Sequence, residues 1–550
     1  MERKRILVVG GVAGGASAAA RARRNDEAAE IIIYERGPHV SFANCGLPYF
    51  VGGVIQNEQD LHVSNPGRFL DQLRVEAKTQ HDVTAIDRAK REIEVVNLAT
   101  GAVSREAYDA LVLSPGAGPI KPPFPGLDTP GIFTLRNIPD SQRIREWIAA
   151  RQAKRAVVVG GGFIGLEMAE NLHARGIEVT LVEAAPHVFP PLDSEMAYYV
   201  EAHLRAEGVK LHLGEAVQSF APAGAGVSVQ TAKGTYVADL VILAIGVKPE
   251  TQLAAAAGLA LGPRGGIQVD GRMRTSDPYI WAVGDAVEKV DAVTQAPALY
   301  ALAGPANRQG RIAADDIAGR PAAFRGSQAT AVCGVIGLTA AATGANERGL
   351  KAAGRPFAKA YLHPRDHARY YPGSQVMHLK VLFDPENGKL LGAQAVGLAG
   401  VERRIDIVAM ALQLGGTVYD LEEAELAYAP QYGSAKDAVN FAGMIAANHL
   451  RGESPLAYWE ALPAGAFVLD VREPGEFAGG HFAGAVNLPL KQVRERAGEL
   501  PRDREIYVHC QVGQRAHYAV RALRQLGFKA VNLSGGFETY AALEGSKQAG

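Results

Sequence analysis

Residues 155–183 read RAVVVGGGFIGLEMAENLHARGIEVTLVE. Arg155 to Val159 form a short apolar run, the pattern of a buried parallel strand. Gly160, Gly162 and Gly165 then supply a complete GxGxxG, which opens an apolar helix. A second strand follows and ends at Glu183. Glycines in such a loop let the backbone approach a pyrophosphate, and the helix N-terminus stabilises its charge. An acid at the end of the next strand can accept from a ribose 2′-hydroxyl, which favours NADH over NADPH. The bland alternative is a tight strand–helix turn with no ligand. The full context, strand before and acid after, outweighs it.

The same unit occurs earlier, at residues 5–35: RILVVGGVAGGASAAARARRNDEAAEIIIYE. Gly10, Gly14 and Gly15 remain, Val12 takes the middle glycine's place, and Glu35 is the strand-end acid, followed by Arg36. Two copies of one βαβ unit in one chain predict two dinucleotide sites. Around them, YDALVLSPGAGP (108–119) and ADLVILAIGVKPE (238–250, with Gly246) read as strands running into turns. YIWAVGDAVE (279–288) ends a strand on Gly284–Asp285, where an aspartate can hold a ribityl hydroxyl, and LAGPANRQGR (302–311) starts a helix at Ala303.

The bulk composition narrows the class. A chain of 550 residues with 47% hydrophobic and 21% charged residues is globular and holds several domains. A net charge of −1 gives no electrostatic footprint for nucleic acid. No apolar run reaches the length of a spanning helix. The glycines that interrupt the N-terminal apolar stretch argue against a secretory signal, so a cytoplasmic location is expected. Three widely spaced cysteines, Cys45, Cys333 and Cys510, exclude a disulfide framework, and no metal-ligand spacing is present, so no metal is expected. Cys333, inside TAVCGVIGLTAAATG (330–344), reads as core.

SFANCGLPYFVGG (41–53), HARYYPG (367–373) and AYAPQYGSAKD (427–437) complete the set. In this order, with the two glycine loops, Gly284–Asp285 and LAGPANRQGR, the chain over roughly 1–447 resembles the pyridine nucleotide–disulfide oxidoreductases. Its cysteine block is similar to that of the coenzyme A disulfide reductases. The resemblance implies an α/β fold with two interleaved Rossmann-like domains: FAD on 1–115 and 250–325, NADH or NADPH on 116–249. It further implies an α+β dimerisation domain over 326–447 and a homodimer. Members of the wider family carry a second cysteine five positions on, where Phe50 stands here. The implied oxidised state is therefore a mixed disulfide of Cys45 with coenzyme A, and a thiolate beside a flavin and a helix N-terminus is expected to have a lowered pKa.

The same resemblance assigns Tyr370 and Tyr428 to the partner subunit's site, with Tyr371 and Tyr432 as alternative registers. It assigns Arg21, Arg24 and Lys436 to the phosphates of coenzyme A, with Ser41 and Asn44 flanking the thiol. Related peroxidases and oxidases place a histidine where Ala13 stands. That reading, and a non-turnover redox sensor or sulfur carrier, are the alternatives.

After a linker at 448–460, a fresh α/β pattern begins at 461. LDVREPGEFAGGHFAGAVNLPL (469–490) and Cys510-Gln511-Val512-Gly513-Gln514-Arg515 resemble the rhodaneses. Loop amides and Arg515 can stabilise a Cys510 persulfide. The expected activity is NAD(P)H-dependent reduction of coenzyme A disulfide, coenzyme A persulfide and polysulfide, coupled to sulfane-sulfur transfer. The residues leave open the acceptor, the nicotinamide preference, and whether Cys510 passes sulfur directly to Cys45.

Overall fold

The computed structural model describes residues 3–549, which fall into two compact units: residues up to 182 with 216–329, and 183–215 with 330 onward. The first unit carries the two glycine loops. Its first sheet runs, in spatial order, Ile280–Ala282, Ala110–Leu113, Arg5–Val9, Glu30–Glu35 and Glu76–Thr79. All these pairings are parallel, with Leu7 opposite both Ile32 and Leu111. Strands covered on both faces must be apolar throughout, and Leu7, Val8 and Ile33 are fully buried. Helices Ala13–Asn25 and Ala303–Ile317 pack together on this sheet. Gly310 permits the approach, because a side chain there would collide with the carbonyl of Gly14.

The second sheet repeats the design with Glu178–Val182, Arg155–Val159, Leu240–Leu243 and Ile132–Phe133, again all parallel. Each repeat carries a three-stranded antiparallel flap: His81–Asp87, Glu92–Asn97 and Val103–Ala107 in the first, and Val217–Ala223, Gly226–Thr231 and Thr235–Ala238 in the second. Ala117–Pro119 pairs antiparallel with Val247–Pro249, where the chain leaves the first domain and returns to it.

In the second unit, an antiparallel sheet runs Ala331–Val335, Leu338–Gly344, Leu390–Gly397, Met377–Phe383 and Ala358–Leu362. A parallel sheet follows, ordered Leu456–Ala457, Ala530–Leu533, Ile506–His509, Phe467–Asp470 and Val486–Asn487. The stretch read as a linker thus does more than connect. Residues up to Leu450 complete a helix, and Leu456–Ala457 form an edge strand on Ala530–Leu533.

Residues 183–215 group with the second unit. Asp193 and Glu195 approach the fully buried Lys380, whose Nζ lies 2.6 Å from Asp193 Oδ2 and 2.6 Å from Glu347 Oε1. Burial alone would lower the Lys380 pKa, but Tyr361, Glu195, Asp193 and Glu347 together hold the ammonium well above its usual value. Tyr361 links this network to the C-terminal sheet: its hydroxyl donates to Glu195 at 2.8 Å, and its amide donates to Ser534 Oγ at 3.0 Å. Among the described residues no helix is long and apolar enough to cross a membrane.

Candidate active site

The two glycine loops are near-copies in space. Gly10 N donates to Tyr34 O and Gly160 N to Val182 O, both at 2.8 Å. A side chain at Gly15 would strike the carbonyl of Gly10, and one at Gly165 the carbonyl of Gly160. These glycines serve helix–strand packing. Gly162 differs: a Cβ built there meets no atom within 4 Å. That open space at the start of helix Phe163–Ala174 fits a pyrophosphate approaching the helix N-terminus.

In the first loop, Glu35 accepts from Gly11 N and Gly37 N, 2.8 Å each, one bond per carboxylate oxygen. Each oxygen keeps a lone pair for ribose hydroxyls. Asp285 lies in the turn Gly284–Ala286 and makes no hydrogen bond among the described residues. Burial raises its pKa, against the pull of Lys289 and Arg136. A carboxylate so placed suits a flavin ribityl hydroxyl. Gln309, on helix Ala303–Ile317, accepts from Gly284 N at 2.8 Å, while its buried amide nitrogen has no partner. The donor set therefore fits a flavin dinucleotide. Arg36 and Arg136 are both paired with Glu250. Gly246 has a φ of 122°. Glu183 accepts from Ala185 N at 2.6 Å.

Cys45 sits in a single 3-10 turn, Asn44–Gly46, that runs into helix Leu47–Gly52. Its thiol is free and the residue is exposed, as is Asn44, while Ser41 is half-buried with a φ of 48°. Phe50 is buried, and the Arg145 guanidinium stacks over its ring at 4.1 Å. The expected lowering of the Cys45 pKa does not arise from protein groups. Burial raises it, and the charges of Glu167 and Asp285 push the same way. The backbone contribution of the short turn does not overcome these. Glu167 itself is pushed up to about 7 by burial and by Glu170. Glu167 belongs to no sequence motif, and its burial is set by the fold.

The expected coenzyme A cations are placed unequally. Arg21 is ion-paired with Asp315 at 2.6 Å, whereas Arg24 and Lys436 are exposed and make no ion pair among the described residues. Beside Arg21, Ser17 Oγ donates to Asn307 Oδ1 at 2.5 Å. This polar strip along two helices gave no sequence signal, because its partners lie 290 positions apart.

In the second unit, Tyr370 and Tyr428 come from separate loops, and their hydroxyls lie 2.7 Å apart. Both are exposed. The Tyr370 phenol is raised, first by its hydrogen bond to Tyr428. Tyr371 instead packs on His367, with ring centroids 5.7 Å apart. Buried Arg404 anchors both loops: it pairs with Asp437 at 2.7 Å and donates to Asp366 O at 2.7 Å. Arg403 donates to Tyr432 O and Ala427 O at 2.7 and 3.0 Å.

Cys510 follows the strand Ile506–His509, and Gly513, with a φ of 90°, turns the chain into helix Gln514–Gln525. Gly513 N lies 3.2 Å from Cys510 Sγ. Arg515 holds Glu476 through two 2.7 Å bonds and also interacts with the Cys510 sulfur. The pair lowers Glu476 to about 2, chiefly through the Arg515 hydrogen bonds. Buried Arg472, paired with Asp470 at 2.7 Å, reaches Gln511 of the loop at 3.2 Å. Cys333 is buried in Ala331–Val335, as expected of a core residue.

Three family models match the chain. Residues 4–304 match the pyridine nucleotide-disulphide oxidoreductase model, 330–438 its dimerisation domain, and 454–543 the rhodanese-like domain. The chain belongs to the pyridine nucleotide-disulphide oxidoreductase family. As a member of that family it is an oxidoreductase. A coenzyme A disulfide reductase of Staphylococcus haemolyticus is 36% identical over 447 residues, covering 80% of this chain and 98% of that protein. The crystal structure of reduced Bacillus anthracis CoADR-RHD superposes with a TM-score of 0.96 at 44% identity, covering 99% of this chain and 98% of the other. The NAD-dependent persulfide reductase from A. fulgidus gives 0.90 at 37% identity, over 98% of this chain and 100% of the other. Within this oxidoreductase, three sets of groups stand out: the Cys45 turn, the Tyr370–Tyr428 pair and the Cys510 loop.

Proposed function

We propose that this oxidoreductase uses NADH to reduce the sulfur–sulfur bonds of coenzyme A persulfide, coenzyme A disulfide and polysulfide at Cys45. Its C-terminal domain would handle the sulfane sulfur. The observation that carries the reading is an exposed, solitary Cys45 with buried Phe50 where a second thiol would be needed for an internal disulfide. The coenzyme A and persulfide reductases named above, which match over most of their length, support the substrate class.

FAD, held by the first glycine loop, Glu35 and Asp285, and NADH, held by the second loop and Glu183, would supply the two electrons. Cys45 Sγ attacks the coenzyme A sulfur of the persulfide, displaces hydrosulfide and forms Cys45–S–S–CoA. Two electrons and one proton then cleave that bond, releasing coenzyme A thiol and the Cys45 thiolate. Tyr370 and Tyr428 of the partner subunit would donate protons to the departing sulfur. Arg24 and Lys436 would bind the phosphates, and Ser41 and Asn44 would orient the thiol end.

Cys510 would take a sulfane sulfur as a persulfide, stabilised by Gly513 N and Arg515. It would pass that sulfur to coenzyme A thiolate, which gives coenzyme A persulfide and restores the Cys510 thiolate. The test is hydrosulfide release from coenzyme A persulfide, one per NADH consumed, abolished by Cys45→Ser. Turnover of coenzyme A disulfide alone would restrict the reading to disulfides, and NADH consumption undiminished in Cys45→Ser would overturn it.

A further inference from the structure

The segment before Cys45 is tied to a second segment, 58–64, by a dense set of backbone bonds. Ala43 N donates to Leu61 O at 2.8 Å, while Val63 N and Ser64 N donate to Ser41 O at 2.9 and 3.0 Å. Phe42 and His62 form an antiparallel bridge. Ser41 N is fixed in turn to Gly11 O at 2.8 Å. This frame brings three side chains together that the mechanism above does not use. Glu58 Oε1 lies 3.8 Å from His39 Nε2 and 3.7 Å from His62 Nε2. The imidazoles meet edge to face with centroids 5.0 Å apart, and the three ligand atoms all fall within 4.8 Å of one another.

We propose that His39, Glu58 and His62 form a binding site for a zinc-class divalent ion at the base of the Cys45 loop. Two imidazoles and one carboxylate are the donor set of an open tetrahedral zinc site. Metal–ligand bonds of about 2.0–2.1 Å put such donors roughly 3.3 Å apart, so the side chains need to close by only a few tenths of an ångström to about 1.5 Å. The remaining carboxylate oxygen of Glu58 accepts from Gln142, the outer-shell bond that orients a ligating carboxylate. All three side chains retain a fifth to a third of their exposure, so the fourth position opens to solvent. The other three-residue cluster, the carboxylates Asp193, Glu195 and Glu347, is different in kind: Lys380 Nζ already fills it.

The site bears on the thiol by placement. Phe42 and Ala43, which pair with His62 and Leu61, stand three and two positions before Cys45. An ion bridging His39 to Glu58 and His62 would clamp the loop that carries the nucleophile.

The experiment uses the FAD-loaded full chain with Cys45→Ser and Cys510→Ser, so that neither of these thiols binds metal. Zinc binding is measured by titration calorimetry against a competing chelator, and the ligand set is read from the cobalt(II) spectrum. The expected result is one equivalent per chain with an imidazole–carboxylate spectrum free of thiolate charge transfer. Affinity should fall by more than about tenfold in His39→Gln and in His62→Gln, and by about 10–100-fold in Gln142→Ala. Bound FAD checks that each variant folds. No bound equivalent, or an affinity unchanged in both histidine variants, would overturn the proposal.

Discussion

Gly162→Ala separates the two jobs that glycines do in a dinucleotide loop. Gly162 has a φ of −82° and a ψ of −168°, which alanine adopts without strain, and an added methyl meets no atom within 4 Å. Alanine is a poorer N-cap than glycine, but it also restricts the unfolded chain, and each effect is about 0.5–1 kcal/mol in opposite directions. Folding stability should therefore move by less than about 1 kcal/mol. If a pyrophosphate approaches this backbone, the methyl displaces it from the helix N-terminus. Losing one charge-assisted hydrogen bond costs about 1.5–3 kcal/mol, or roughly 10–150-fold in NADH affinity. The assay is the NADH dissociation constant in anaerobic stopped flow, beside FAD content and melting temperature. NADH binding should weaken while both controls hold. Gly165→Ala, whose methyl collides with the carbonyl of Gly160, should instead damage folding. NADH affinity unchanged in Gly162→Ala would refute the assignment of the second loop.

Replacing Tyr370 and Tyr428 together by phenylalanine should slow substrate turnover by about 10²-fold, the lower end for a lost general acid, while NADH reduces the bound flavin at an unchanged rate in single turnover. Glu476→Gln weakens the hold on Arg515 and should cut sulfur transfer from thiosulfate to cyanide several-fold, with NADH-dependent reduction of coenzyme A disulfide unaltered. Acid should loosen the second unit as pH falls below the ordinary carboxylate range. Burial alone would raise Glu347, but Lys380 and Lys359 bring it from an ordinary 4.5 down to about 2, which corresponds to roughly 3 kcal/mol. Because the folded value is the lower one, this stability is fully present above pH 4.5 and drains away as pH falls toward 2. Glu347→Gln should flatten that acid limb of the denaturation midpoint, and an unchanged limb would exclude Glu347 as its source.

Local patterns carried most of the architecture. After their leading arginines, RILVV and RAVVV are apolar at every position, so each reads as a strand with both faces covered that runs into a glycine loop. The C-terminal domain was equally legible, since the DVREP block (470–474) and the loop 510–515 are each a continuous stretch of sequence. What stayed hidden depends on long-range pairing. Arg21 looks like a free cation on a helix, yet Asp315, 294 residues away, takes its charge. The approach of Asp193 and Glu195 to buried Lys380 is hidden likewise, since 187 and 185 residues separate the partners. The protein's own influence on the Cys45 pKa was hidden for a related reason: a helix N-terminus is visible in sequence, but the burial and the two carboxylates that push the other way are not. Glu167 and the His39–Glu58–His62 cluster form no motif, because the spacing of their partners is set by the fold alone.

The central claim is that Cys45 finds its disulfide partner outside the polypeptide. Intact-protein mass, measured on oxidised enzyme under denaturing, non-reducing conditions, addresses it directly. The account predicts one coenzyme A adduct per chain, mapped to Cys45, removed by reductant and absent from Cys45→Ser. An unmodified Cys45 thiol after incubation with coenzyme A disulfide would contradict it.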